Sequence, residues 1–178
     1  MRWMMSIGPL KDKVFDEARS LLSGQVKILE LGAYAGYSSI YLAQTFGSDV
    51  QVTSIEVNPD YVRATRANLE HAGLTDRVTV IEGSSTEVIA TLDDTFDLVF
   101  LDHWKDLYLG DLQLIEQRGL LRQGSVVVAD NVGELFNAEP YLHYVRGCGR
   151  YTSENRSAPI EYTDMPDAVE ISVYQGPT

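Results

Sequence analysis

Four residues in the second half of the chain have types and spacing suited to chemistry. Asp102 and Lys105 follow the apolar run Phe96-Asp97-Leu98-Val99-Phe100-Leu101, and Asp130 and Asn131 follow Ser125-Val126-Val127-Val128-Ala129. If these runs are neighbouring strands, about 4.8 Å apart, Asp102, Asp130 and Asn131 meet at one rim. Carboxylates that close repel unless a positive charge lies between them. Oxygen donors without a Cys or His set suit a hard cation, and so few protein ligands leave room for water and substrate, as Mg2+ prefers. Plainer readings stand beside these: strand-end acids cap turns, and Lys105 also reads as a solvated loop lysine. His103 is isolated and reads as a packing or cofactor neighbour rather than a fourth ligand.

A second cluster closes an earlier apolar run, in Glu30-Leu31-Gly32-Ala33-Tyr34-Ala35-Gly36. Two glycines four apart let a backbone turn tightly and approach a ligand closely. The pattern is neither G-x-G-x-x-G nor a glycine loop ending in Lys-Ser/Thr, which disfavours a dinucleotide or a P-loop nucleotide. Glu56 ends the next apolar run, about 20 residues further on, where an acid can hold a ribose diol. A glycine turn flanked by two acids suits a nucleoside with a cationic tail, and S-adenosylmethionine is such a ligand. Taken singly, the same residues also read as loop glycines and a strand-end acid.

Those positions require a particular scaffold. Runs 26–31, 50–56, 78–82, 96–101 and 125–129 read as strands, mostly buried on both faces. Between them lie helical patterns at 37–45, 59–72, 86–91 and about 111–119, with a further helix at 10–22 before the first strand. Asn58-Pro59 is a helix start and Ala72-Gly73 its stop. Such alternation predicts an α/β fold, a doubly wound and mostly parallel sheet whose ligands bind beyond the carboxyl ends of its strands. Segments 151–156 and 169–174 have no helix between them and read as an antiparallel edge pair.

Length and charge narrow the functional classes. The 178 residues fit one domain, 1–178. Fourteen Lys and Arg against 26 Asp and Glu give a net charge of −12, which argues against binding a nucleic-acid backbone or an anionic membrane. A hydrophobic content of 44% excludes a disordered acidic chain. Cys148, the one cysteine, cannot form an internal disulfide. Met1-Arg2-Trp3-Met4-Met5 does not open a signal peptide, and no apolar run approaches a membrane span, so a cytoplasmic location is expected. Tyr61, Tyr108 and Tyr144 read as core or rim aromatics.

Three stretches carry a resemblance: Leu29-Glu30-Leu31-Gly32-Ala33-Tyr34-Ala35-Gly36-Tyr37-Ser38, Phe100-Leu101-Asp102-His103-Trp104-Lys105-Asp106 and Ala129-Asp130-Asn131-Val132. They resemble the catechol O-methyltransferase family, and Val145-Arg146-Gly147, Glu161-Tyr162 and Tyr174-Gln175-Gly176-Pro177 follow in matching order. The resemblance implies a Rossmann-like class I methyltransferase fold of seven strands, the last antiparallel. It implies transfer of a methyl group from S-adenosylmethionine to a small catechol, with Asp102, Asp130 and Asn131 as Mg2+ ligands and Lys105 as general base. Glu161 matches an acid that hydrogen-bonds a substrate hydroxyl, so that Asp102, Lys105, Asn131, Glu161 and Trp3 would meet the substrate. Glu30, Gly32, Tyr34 and Ser38 match the pocket for the methionine portion, Glu56 and Val57 the ribose side, and Ser85, His103 and Trp104 the adenine and the site mouth. Met5 and Ile7, like Trp3, match the methyl-donor region. Residues 133–141 depart from the family's loop, and the pattern begins only at Trp3, which implies a less covered cofactor. A caffeoyl-type acceptor and a non-catalytic cofactor-binding protein are the alternatives, and the oligomeric state is open.

Overall fold

The five apolar runs form the parallel part of one seven-stranded sheet in a computed structural model that describes residues 8–160 and 163–177. Along the chain, α1 (Gly8–Ser20) precedes β1 (Lys27–Leu31), followed by α2 (Tyr37–Thr45), β2 (Gln51–Glu56), α3 (Pro59–Ala72), β3 (Val78–Glu82), α4 (Ser85–Ile89) and β4 (Phe96–Leu101). Then come α5 (Tyr108–Gln117), β5 (Leu121–Ala129), α6 (Glu139–Gly147), β6 (Tyr151–Pro159) and β7 (Pro166–Tyr174), with 3-10 turns at Lys105–Leu107 and Glu134–Phe136. Strand order is β3-β2-β1-β4-β5-β7-β6. The chain reverses its direction of growth between β1 and β4, the place where doubly wound sheets open a crevice for ligands.

Side chains alternate across the sheet with period two, which divides the core into two layers. Ile28, Leu98, Val126 and Ile171 pack under α1, α2 and α3 through Phe15, Leu42 and Leu69. On the other face Leu29, Val99 and Val127 meet Ile89 of α4, Ile115 of α5 and Val145 of α6. The expected start of α3 is present: the Asn58 side chain accepts the Asp60 N–H at 2.9 Å, and Gly73 ends the helix at φ 66°. Among the described residues no helix is long and apolar enough to cross a membrane.

The late antiparallel pair lies at the sheet edge as expected, with β6 outermost and β7 paired antiparallel to β5 as well as β6. Two other expectations need correction. Residues 139–147, where no helix was expected, form α6, because Pro140 falls in its first turn, where a missing N–H costs nothing. Finally, β5 begins at Leu121 rather than 125, since Leu121 already pairs with Phe96 of β4; the exposed Arg122, Gln123 and Gly124 fall in the register shift that precedes the Leu98–Val126 pair.

Candidate active site

Gly32 joins the two halves of the site. Its φ is +101°, and a Cβ there would lie 2.7 Å from the Asp102 carbonyl oxygen. The close approach expected toward a ligand is therefore made first to the backbone at the end of β4. Tyr34, two residues on, is held at φ 48°, a left-handed conformation rare for a side chain of its size. Glu56 reaches back to that turn: its Oε2 accepts the Tyr34 N–H at 2.9 Å and its Oε1 the Asn58 N–H at 2.8 Å. Beneath them Glu30 is fully buried. Ser39 and Ser54 both donate to its Oε2, while Oε1 is buried without a hydrogen-bond partner among the described residues. Burial holds this carboxyl above its usual range, against the pull of the neighbouring serine hydroxyls.

The ends of β4 and β5 carry the second cluster. Parallel register pairs Leu101 with Ala129, so Asp102 and Asp130 leave the sheet side by side. Lys105 turns back on the 3-10 turn, its Nζ donating to Tyr108 Oη at 2.7 Å and lying 3.6 Å from Asp102 Oδ1. Tyr108 is wholly buried and spends its own proton on the Leu101 carbonyl at 2.7 Å. Asp130 has a partner absent from the sequence reading: the buried Lys11 ammonium donates to its Oδ1 at 2.5 Å and to Asp167 Oδ2 at 2.6 Å. Burial raises Asp102 to about 7, Lys105 opposing and Asp130 reinforcing the shift, and it raises Asp130 against the pull of Lys11. An added positive charge would reverse both shifts.

Asn131 completes this end. Its φ is 53°, its Nδ2 donates to Asp167 Oδ2 at 2.8 Å, and its buried Oδ1 has no partner among the described residues. No cluster of three or more His, Cys, Asp and Glu side chains that could hold a metal occurs among the described residues. A cation here would rest instead on two carboxylates and this amide oxygen, all hard donors of the kind Mg2+ takes. The orphaned oxygen is the feature that fits such an ion, because buried acceptors are seldom left unpaired.

A cavity of about 610 Å3 opens at these strand ends. Gly32, Tyr34, Ser38, Glu56 and Val57 line its β1–β2 side, Ser85 lies between, and Asp102, His103, Trp104 and Lys105 line its β4 side. Glu30, Asp130 and Asn131 are not among the lining residues; they lie behind the wall, each at most 2% exposed. Trp104 stands at the rim, 77% exposed. His103 is held by Asp111, its Nε2 2.9 Å from Oδ2. Trp3, Met5, Ile7 and Glu161 lie outside the described residues.

Lys11 and Asp167 were missed, although Lys11 left a signal. It shares the buried stripe of α1 with Val14, Phe15 and Ala18, at i, i+3, i+4 and i+7, and a lysine on an apolar stripe needs a buried anion. The Tyr108 ring was expected in the core or at the rim and is in the core, but its hydroxyl contact with Lys105 has no signature in the sequence.

Comparison with known proteins bears on both clusters. The sequence model of the O-methyltransferase family matches residues 5–139, a span holding Glu30, Glu56, Asp102, Lys105, Asp130 and Asn131. Catechol O-methyltransferase of Sus scrofa is 43% identical over 96% of this chain and 91% of its own length. That of Bos taurus is also 43% identical, over 98% of this chain, which spans only 65% of the bovine protein. Among solved structures, the O-methyltransferase TomG of Streptomyces achromogenes, in complex with S-adenosylmethionine, superposes with a TM-score of 0.84 at 25% identity, covering 97% of this chain and 82% of TomG. With family match and relatives both running through the two strand-end clusters, the chain belongs to the O-methyltransferase family, as a relative of the catechol O-methyltransferases.

Proposed function

We propose that this chain transfers the methyl group of S-adenosylmethionine to one hydroxyl of a catechol, with Mg2+ held by Asp102, Asp130 and Asn131 and with Lys105 as general base. The observation that carries this reading is the orphaned Oδ1 of Asn131, buried beside two strand-end carboxylates. The catechol O-methyltransferases matched over nearly the whole chain support the same chemistry.

In this reading each residue has a task. Glu30 offers its unpaired Oε1 to the cationic amino-acid tail of the methyl donor, and Glu56 accepts from the ribose hydroxyls beside the glycine turn. A phenol ordinarily titrates near about pH 10 and is a poor nucleophile at neutral pH. Bound at the strand ends, Mg2+ supplies a fixed charge that favours an ionised oxygen. In its neutral amine form Lys105 Nζ, steered by Tyr108 Oη and Asp102, takes the hydroxyl proton and becomes the ammonium. The oxygen bonds to the methyl carbon as the carbon–sulfur bond breaks, and S-adenosylhomocysteine leaves. Orientation along that line supplies much of the acceleration. The same reading assigns Glu161 and Trp3 to the substrate and places the protein in the cytoplasm, where a chain with one cysteine needs no oxidising compartment.

The test is methyl transfer to a simple catechol and to a single phenol, each with Mg2+ or with chelator. Transfer to the catechol alone, lost in chelator, is expected. An undiminished rate in chelator removes the cation from the reading, and cofactor binding without transfer to any diol removes the enzyme.

A further inference from the structure

We propose that Asp167, pinned by Lys11, is a positioning residue that turns the amide of Asn131 so that its oxygen faces the cation site. The inference rests on the preceding reading of Asp130 and Asn131 as ligands, and it concerns residues outside that ligand set.

Asp167 lies at the start of β7, its side chain wholly excluded from solvent. Three donors converge on it. Lys11 Nζ and Asn131 Nδ2 reach Oδ2 at 2.6 and 2.8 Å, and the Gly133 N–H reaches Oδ1 at 3.1 Å. An amide carries its donors at one end and its acceptor at the other. A carboxylate accepts only, so Asn131 must present Nδ2 to Asp167, and its oxygen is driven the opposite way. That oxygen is buried and has no hydrogen-bond partner among the described residues. Flipping the amide would set oxygen against a charged oxygen, and Asp167 thereby fixes which end of Asn131 meets the site.

Lys11 makes the arrangement possible. Without its ammonium, Asp130 and Asp167 would be neighbouring buried carboxylates with nothing between them. Among the described residues the hydrogen bonds to the Asp130 carboxylate, from Lys11 and from the Asn131 N–H at 2.7 Å, both fall on Oδ1, which leaves Oδ2 for a ligand. The loop beyond is fastened to the same point. A Cβ on Gly133 would lie 2.8 Å from Asp167 Cα, so only glycine lets this backbone cross so closely, and the turn it starts carries Phe136 to the cavity wall. A plain ion pair welding α1 to β5 and β7 would share the Lys11 contacts but would not govern the orientation of Asn131.

Mn2+ binding to the folded protein, followed by electron paramagnetic resonance, separates the two roles. Asp167→Asn is expected to weaken Mn2+ binding by about 10–100-fold, the usual effect of losing an outer partner of a ligand, while S-adenosylhomocysteine affinity by calorimetry stays within about twofold. Lys11→Met/Asp167→Asn removes both members of the ion pair, at the cost of the ammonium that also meets Asp130 Oδ1, and is expected to bind Mn2+ as weakly as the single variant. Asp130→Ala is the reference. Should it bind Mn2+ as tightly as the unaltered protein, there is no cation site at these strand ends, and the proposed function fails together with this inference. Should Asp130→Ala lose Mn2+ while folded Asp167→Asn or the double variant keeps it within about twofold, the pair is structural only and the positioning role is overturned.

Discussion

At the β1–β2 end of the cavity Glu30 and Glu56 are held by serine hydroxyls and backbone N–H groups, whereas at the β4–β5 end Asp102, Asp130 and Asp167 are met by the ammonium groups of Lys105 and Lys11. Neutral donors stabilise a carboxylate without cancelling its charge, so on the proposed reading the first end, where its carboxylates are ionised, would select a ligand by positive charge. Cations cancel most of the charge at the second end. What remains there to choose a ligand is geometry: which oxygen of Asp130 is free, which end of Asn131 points outward, and where Tyr108 leaves the Lys105 nitrogen. The two ends touch at Gly32, so they can differ in electrostatics and still be fixed relative to one another.

The largest expected effect lies at the balanced end. Lys105→Met should reduce methyl transfer to a catechol by about 10²–10⁴-fold, the usual contribution of a general base, and leave S-adenosylhomocysteine affinity unchanged in calorimetry. A parallel loss of affinity would break the comparison, because it would make the two ends one electrostatic unit. Next comes Glu30→Gln, which keeps the shape and an acceptor for Ser39 and Ser54 but removes the uncancelled charge. Binding of S-adenosylhomocysteine should weaken by roughly 10–100-fold, as for one charge-assisted contact. Stability of the ligand-free protein should move the other way. Burial raises the Glu30 pKa on folding, so the folded chain binds that proton more tightly than the unfolded one and loses stability as pH rises above the ordinary carboxylate range. Glutamine removes that loss. The melting temperature should rise by about 2–4 °C at neutral pH, and the gain should vanish toward about pH 4. A gain that persists in acid would mean that charge is not what distinguishes this end.

The contrast also shows how much of the molecule can be read in its sequence. The parallel half of the sheet is legible because its strands leave short, mostly apolar runs bounded by polar loops: β3 and β4 occupy the residues expected, and β2 starts one residue late. The position of β7 is not legible, since hydrophobic pattern reports burial and not which strand lies alongside. At the site, Asp102 and Asp130 follow from two adjacent strands ending in the same residue type. Lys11 and Asp167 do not, because they meet Asp130 and one another across 119 and 156 positions of sequence. The Glu56 carboxylate was legible as an acid at a strand end, but its two backbone partners depend on the left-handed turn at Tyr34, which the sequence marks only by the neighbouring glycines.

The smallest effect is expected at the start of α3, beside Glu56. Asn58 serves the acidic end twice: its side chain caps α3 through the Asp60 N–H, and its main-chain N–H donates to Glu56 Oε1. Asn58→Ala removes only the first of these. Loss of an N-cap costs about 1 kcal/mol, so the melting temperature should fall by a few degrees, about 2–4 °C for a chain of this size. Glu56 should remain where it is, because the N–H groups of Tyr34 and residue 58 belong to the backbone and survive the substitution. Affinity for S-adenosylhomocysteine should therefore stay within about twofold of the unaltered protein when measured below the transition. If affinity falls by tenfold or more, the acid is placed by the helix start rather than by its two backbone donors, and the acidic end depends on a side chain in the way the β4–β5 end depends on its lysines.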